Sequence, residues 1–262
     1  MSAKAIRKRE EIEEQYKWKL ENIYTAYEGG SEPVIKDLSL RVEKGEYVVV
    51  GGPNSAGKTT LLESINGLVK ITHGRARVCG LDIRRHGSEV RKRVGYVIQN
   101  FYFDPFTPFT AQEVVMMGRF GRLGLLNRPK ESDYDAVQRA IKTVGIEDLA
   151  HRTIGTLSGG QQQKVMIAHN IAKEPEVMML DEPFSNLDFQ AREFLQDIFK
   201  RMAQQGIPVL MVAHAFDGLP DIPIHLLVMN RGRITGDLSC QAGEVEEIIR
   251  KECGADKRCS SG

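Results

Sequence analysis

Paired cysteines, long apolar runs and an excess of either charge are all missing from this sequence. Cys79, Cys240, Cys253 and Cys259 are its four cysteines, and no two form a CxxC pair. That scatter gives no disulfide framework and suits reduced thiols. No apolar run approaches the ~20 residues that a membrane-crossing helix needs, so membrane attachment is expected only through another protein. Lys+Arg total 36 against Asp+Glu 35, a formal net charge of +1. This balance gives no reason to expect nucleic acid or an anionic membrane as partner. His73, His86, His151, His169 and His225 show no mutual metal-ligand spacing. Internal repeats and low-complexity tracts are absent too. The stretch Met1 to Leu20 is dense in Lys, Arg and Glu and has no apolar core, which excludes a secretory signal.

What is present is an ordinary globular balance: 41% hydrophobic and 27% charged residues over a length of 262, enough for one large or two small domains. Residues 3–20 read as a charged helix or frayed extension, with Glu13 and Lys17 spaced i, i+4. From Leu20 to Tyr27 and from Val34 to Val42, apolar and polar residues partly alternate, as in antiparallel edge strands. Glu46 to Gly51 is a β-branched run expected to be a buried strand, followed by helical spacing from Thr59 to Val69. Val94 to Ile98, Val177 to Leu180 and Val209 to Ala213 read as further strands. Residues 110–118, 132–145, 158–173 and Phe189 to Gln205 read as helices. Buried strands alternating with helices imply an α/β fold with a mostly parallel core sheet, an antiparallel β subdomain and an inserted helical subdomain. The expected boundaries are an N-terminal extension over 1–20, the main domain over 21–245 with its helical subdomain at about 101–165, and a C-terminal tail over 246–262. Near that Gly- and Ser-rich end, Cys253 and Cys259 read as free thiols of a loose tail, with a metal clip as the other reading.

Three stretches carry chemistry. The first is Gly52-Pro53-Asn54-Ser55-Ala56-Gly57-Lys58-Thr59, followed by Thr60, between a strand and a helix. Gly52 and Gly57 let backbone N–H groups turn inward towards phosphate oxygens, and the following helix adds its positive end. Lys58 reaches the β- and γ-phosphates, and the Thr59 hydroxyl serves Mg²⁺. The second, Val177 to Leu180 ending in Asp181-Glu182, puts two carboxylates at the carboxyl edge of a parallel sheet, where ligands of such sheets sit. Asp181 suits organising Mg²⁺, and Glu182 suits polarising an attacking water. A strand-end acidic pair with only solvating duty is the plainer alternative. The third, Leu157-Ser158-Gly159-Gly160-Gln161, begins a helix that Ser158 can cap, leaving amides bare as a second anion site.

In this order the three motifs resemble the ATP-binding cassette (ABC) family, a branch of the P-loop NTPases. The resemblance spans about Asn22 to Arg233. It implies ATP and Mg²⁺ as cofactors and a head-to-tail pair, in which Ser158 and Gly160 of one copy meet the ATP held by the other. It implies that Gln99 senses the Mg²⁺ and water and relays to a membrane partner, that His214 contacts the γ-phosphate, and that Tyr27 lies on the adenine face. Ser185-Asn186-Leu187-Asp188 matches the loop that bridges the two copies, with Asn186 departing from the usual small apolar residue. Ser55 stands where the family usually carries glycine.

Within the family, Phe103-Asp104-Pro105-Phe106 and the run from Val114 through Met117-Gly118-Arg119-Phe120-Gly121 to Leu125 look like the ATPase subunits of manganese, zinc or iron importers. This similarity implies a cytoplasmic ATPase, peripheral on the inner face of the membrane. Its partners would be a second copy, a transmembrane permease and an extracytoplasmic substrate-binding protein, without nucleic acid. The alternative reading is a soluble single-cassette ATPase, as in iron–sulfur cluster assembly. Coiled-coil chromosome ATPases and two-cassette translation factors do not match a chain with one cassette and no sustained heptads.

Overall fold

The computed structural model describes residues 16–27, 32–99, 101–124, 127–184, 187–213, 216 and 218–255. Two sheets organise them. One is antiparallel, in the order β2-β1-β4-β5, built from β1 (Tyr16–Thr25), β2 (Ile35–Glu43), β4 (Ile71–Val78) and β5 (Leu81–Asp82). The other has six strands in the order β10-β9-β3-β8-β7-β6. Its members are β3 (Tyr47–Gly51), β6 (Val94–Val97), β7 (Val177–Asp181), β8 (Val209–Val212), β9 (Ile224–Asn230) and β10 (Arg233–Cys240). All its pairings are parallel except that of β10 with β9.

The parallel strands are mainly apolar because both faces are covered. Along β3 the side chains alternate between two cores. Tyr47 and Val49 face a core with Met178, Leu180, Val209 and Met211. Val48 and Val50 face a second with Met179, Leu210 and Val212. Helix α1 (Lys58–Ile65) lies in the second core, where Leu61, Leu62 and Ile65 are fully buried against the antiparallel sheet. The first core is closed by the helical insert. This comprises α3 (Ala111–Met117), α4 (Phe120–Leu123) and α5 (Glu131–Val144), leading into α6 (Gly159–Ala172), with α7 (Phe189–Gln204) alongside. Helix α2 (Ile83–Arg93) joins the two sheets, and α8 (Val245–Ala255) follows β10.

Both ends differ from the sequence reading. Residues 16–20 are strand, not helix or frayed extension: β1 is an interior strand, and Trp18 and Leu20 are 0% and 1% exposed. The Lys-Trp-Lys-Leu alternation has period two, and burial of the aromatic ring outweighs the weak i, i+4 pair. Residues 1–15 lie outside the described residues. At the other end, 245–255 form α8 rather than a loose tail. Val245 is fully buried, and Ile248, Ile249 and Cys253 pack on the first core, the i, i+3, i+4 spacing of an amphipathic helix. Cys259 falls outside the described residues.

Candidate functional site

At the carboxyl end of β3 the chain enters a tight loop before α1. Gly52 has φ 137, and a Cβ there would stand 2.1 Å from the Met229 carbonyl oxygen, so only glycine fits. Gly57 has φ 98 and precedes α1 directly. Ser55 also takes a left-handed conformation, φ 65. The family's usual glycine would hold that shape without strain; the serine holds it at a cost. The Lys58 ammonium folds into this loop, donating to the Gly52 carbonyl at 2.9 Å and the Pro53 carbonyl at 3.0 Å. Pro53 O also accepts from Ala56 N at 3.2 Å, closing the turn.

Beside the loop, β7 delivers its two carboxylates. Asp181 is 1% exposed, its Oδ1 is buried without a hydrogen-bond partner, and the Thr59 side chain lies close enough to its carboxylate to favour the charged form. Burial pushes the Asp181 pKa up, opposed by the Thr59 side chain and raised further by neighbouring Glu182. Burial pushes the Lys58 pKa down, while Glu182 and Asp181 pull it back up. A lysine and two carboxylates thus share one small space. Glu182 has φ 48, and its backbone N–H donates to the Val212 carbonyl of β8. The left-handed turn takes the chain out of β7 at this residue. Gln99, just beyond β6, closes the side of the cleft. The cleft measures about 670 Å³ and is lined by Asn54 to Thr60, Gln99, Glu182 and Val34. It is an open, polar, N–H-rich space of nucleotide size.

Ser158 and Gly160 do not line that cleft. Exposed Ser158 N-caps α6: its side chain accepts from Gln161 N at 3.3 Å, and Gln161 Oε1 accepts from Ser158 N at 3.0 Å. The helix start is therefore preformed, with its glycines at the surface. Behind it, Gln162 joins the Phe103 backbone to the Ile154 and Leu157 carbonyls, and Gln163 donates to the Pro183 carbonyl just past Glu182. Asp188 N-caps α7, accepting from Ala191 N at 2.8 Å. His214, Ser185 and Asn186 lie outside the described residues. His169 packs inside the insert: its Nδ1 lies 2.8 Å from the Val114 carbonyl, and burial lowers its pKa.

Tyr27 is half exposed. Its hydroxyl donates to Glu63 Oε2 at 2.8 Å and sits 3.1 Å from Thr60 Oγ1, which fixes the ring beside α1. Glu63 was missed in the sequence. Its one signal is helical spacing, a turn beyond Thr59 and Thr60, which puts it on the face that meets the cleft.

Comparison with known proteins decides the family. A sequence model described as ABC transporter matches residues 35–185, more than half of the chain. The chain belongs to the ABC transporter family. Similar relatives include the manganese transport system ATP-binding protein MntB of Bacillus subtilis (strain 168), 36% identical over 82% of this chain and 84% of that protein. The zinc transport system ATP-binding protein TroB of Treponema pallidum (strain Nichols) is 31% identical over 91% and 87%. Among solved structures, a dimeric ATP-binding cassette in a post-hydrolysis state with ADP and Pi aligns with a TM-score of 0.73 and 27% identity, over 84% of this chain and 97% of that one. An inward-facing transporter assigned to the metal-chelate type aligns at 0.70 and 26%, over 87% and 84%. As an ABC ATPase this chain binds and hydrolyses nucleotide, and ABC cassettes form dimers. Among the described residues no helix is long and apolar enough to cross a membrane.

Proposed function

We propose that this chain is the ATP-hydrolysing subunit of an importer for a metal ion or metal chelate, acting as a head-to-tail pair on a separate permease at the inner face of the membrane. The observation that carries the pairing is geometric. Lys58 and Glu182 line one open cleft with Asp181 buried beside them, while the capped, glycine-bearing start of α6 lies outside it. A γ-phosphate held at Lys58 lacks the anion site that Ser158 and Gly160 offer, and a twofold-related copy supplies it.

In this reading the loop from Gly52 to Thr59 binds the phosphates through its N–H groups, and Lys58 balances their charge. Tyr27 positions the adenine, and its bonds to Thr60 and Glu63 hold the ring ready. The nearby Thr59 hydroxyl and the buried, unpartnered Asp181 oxygen suit a hard cation, so Mg²⁺ would be held there with Gln99 at the cleft edge. Mg²⁺ supplies charge stabilisation to the transferring phosphoryl group when bound. Glu182 orients the attacking water and accepts its proton, and the turn that carries it is anchored to β8. His214 is proposed to stabilise the γ-phosphate on resemblance alone.

Metal import is favoured over a soluble assembly ATPase by the manganese and zinc relatives and by an exposed aromatic surface. Tyr102 and Phe106 are 62% and 92% exposed just after Gln99, with Phe109 and Phe120 also exposed. An extracytoplasmic binding protein completes the proposed system. The test is uptake of radiolabelled manganese and zinc by cells carrying the chain or its Lys58→Ala variant. ATP-dependent uptake lost in the variant supports import. Unchanged uptake of both ions in cells lacking the chain contradicts it.

A further inference from the structure

The run Met117-Gly118-Arg119, singled out in the sequence by its likeness to metal-importer ATPases, places Arg119 almost wholly inside, 7% exposed. Its guanidinium reaches three elements at once. Nε donates to Asp133 Oδ1 at 2.9 Å, and Nη1 donates to the Ala172 carbonyl at 2.9 Å and to Glu174 Oε2 at 2.8 Å. Asp133 is 5% exposed and starts α5, its other oxygen accepting from Lys130 N. Ala172 is the last residue of α6, whose first turn carries Ser158. Glu174 lies in the short link from α6 to β7, the strand that ends at Asp181. Its carboxylate gathers two further arginines, Arg139 Nη2 at 3.0 Å and Arg122 Nη1 at 3.7 Å. Burial works against that carboxylate, but Arg119 and its neighbours hold its pKa below the usual value. One residue earlier in the run, a Cβ on Gly118 would stand 2.2 Å from the His169 carbonyl, so α3 and α6 touch backbone to backbone there. From the other side of α6, the Asn170 side chain accepts from Tyr96 N of β6, the strand leading to Gln99.

We infer that Arg119 is a positioning residue: it clamps the far end of α6 to α5 and to the α6–β7 link, and so sets where Ser158 is presented to the nucleotide of the paired copy. A charged fork with three partners in a buried site holds direction as well as distance. Loosening it lets α6 pivot. Ser158 sits at the opposite end of that helix, where a pivot moves it most, and a misplacement of about 1 Å at a reacting group costs on the order of 100-fold in rate. The Lys58 loop stands on other elements and keeps its affinity. The inference rests on the paired-cassette reading above and deepens it.

The test compares Arg119→Gln, Arg119→Lys and Glu174→Gln by three readouts: affinity for a fluorescent ATP analogue, ATP-dependent dimerisation in a Glu182→Gln background, and turnover per nucleotide-binding site. Arg119→Gln is expected to keep analogue affinity within about twofold, since distant sites act independently. Its dimerisation and per-site turnover should fall by about tenfold or more, with the lysine variant recovering part of the loss. Counting per binding site removes the effect of any misfolded fraction, which a purely structural role would produce. If Arg119→Gln does not fold, Glu174→Gln at the more exposed partner gives the same readouts with a smaller loss. Unchanged dimerisation and per-site turnover in a folded variant overturns the clamp. Failure of Glu182→Gln alone to pair with ATP would instead overturn the paired reading, so the two failures are distinguishable.

Discussion

At the scale of single residues, the site combines side chains under opposing demands. Lys58 is pushed towards neutrality by burial and towards charge by Asp181 and Glu182, and Asp181 is pushed towards neutrality by burial. In the proposed reading an incoming triphosphate with its cation relieves both. Ser55 shows a different tension, a side chain in a conformation that suits glycine. A left-handed non-glycine residue costs about 1–2 kcal/mol, and glycine returns roughly 0.4–1 kcal/mol of that through a more flexible unfolded chain. Ser55→Gly should therefore raise stability by about 0.5 kcal/mol net and leave ATP turnover intact, as read by thermal melting and phosphate release. A clear loss of stability would mean that the serine hydroxyl contributes more than its backbone strain costs. Lys58, Asp181, Glu182 and Ser158 were legible in the sequence because each sits in a contiguous motif, whose proposed roles are phosphate and metal binding. Arg119, Asp133 and Glu174 were not legible in that way. They lie far apart in the chain and meet only after α3, α5 and α6 pack.

At the scale of elements, strands β1, β2, β3, β6, β7 and β8 and helices α1, α3, α5, α6 and α7 followed from their apolar patterning, whereas β4, β5, β9, β10, α2 and α8 did not. β10 reads Arg-Ile-Thr-Gly-Asp-Leu-Ser-Cys and is half exposed along its length, and β4 is interrupted by Gly74. Such strands owe their existence to pairing partners rather than to an apolar face of their own. One side-chain cluster joins β10 and β9 to the chain entering β3 within the core sheet. His225 of β9 lies with Nδ1 3.0 Å from Glu46 Oε2, just before β3, and with Nε2 2.8 Å from Asp237 Oδ1 of β10. Both nitrogens face carboxylate oxygens, an arrangement satisfied only when both carry protons. The Glu46 bond, opposed by burial and aided by Asp237, raises the His225 pKa. A raised histidine pKa gives stability that is complete below the unfolded value of about 6.5 and is lost as pH rises through the folded value. Relative to His225→Asn, the wild-type chain should gain on the order of 1 kcal/mol at pH about 5.5 and lose that gain on the alkaline side. Urea melts of both proteins across pH measure it. A gain that grows with rising pH would contradict the latch.

At the scale of the whole molecule, the proposed pairing gives each copy one half of each of two reaction centres: the cleft of one, and for the other the capped helix start, which lies outside that cleft. The central claim is that two copies complete each other. Glu182→Gln removes the base while keeping a side chain of the same size, so nucleotide should bind and stay. Static light scattering of that variant with ATP and Mg²⁺, against the same variant with ADP, tests the claim most directly. The account predicts twice the monomer mass with ATP alone, one nucleotide retained per chain, and turnover lowered by about 100-fold or more. A variant saturated with ATP that remains at monomer mass would contradict it.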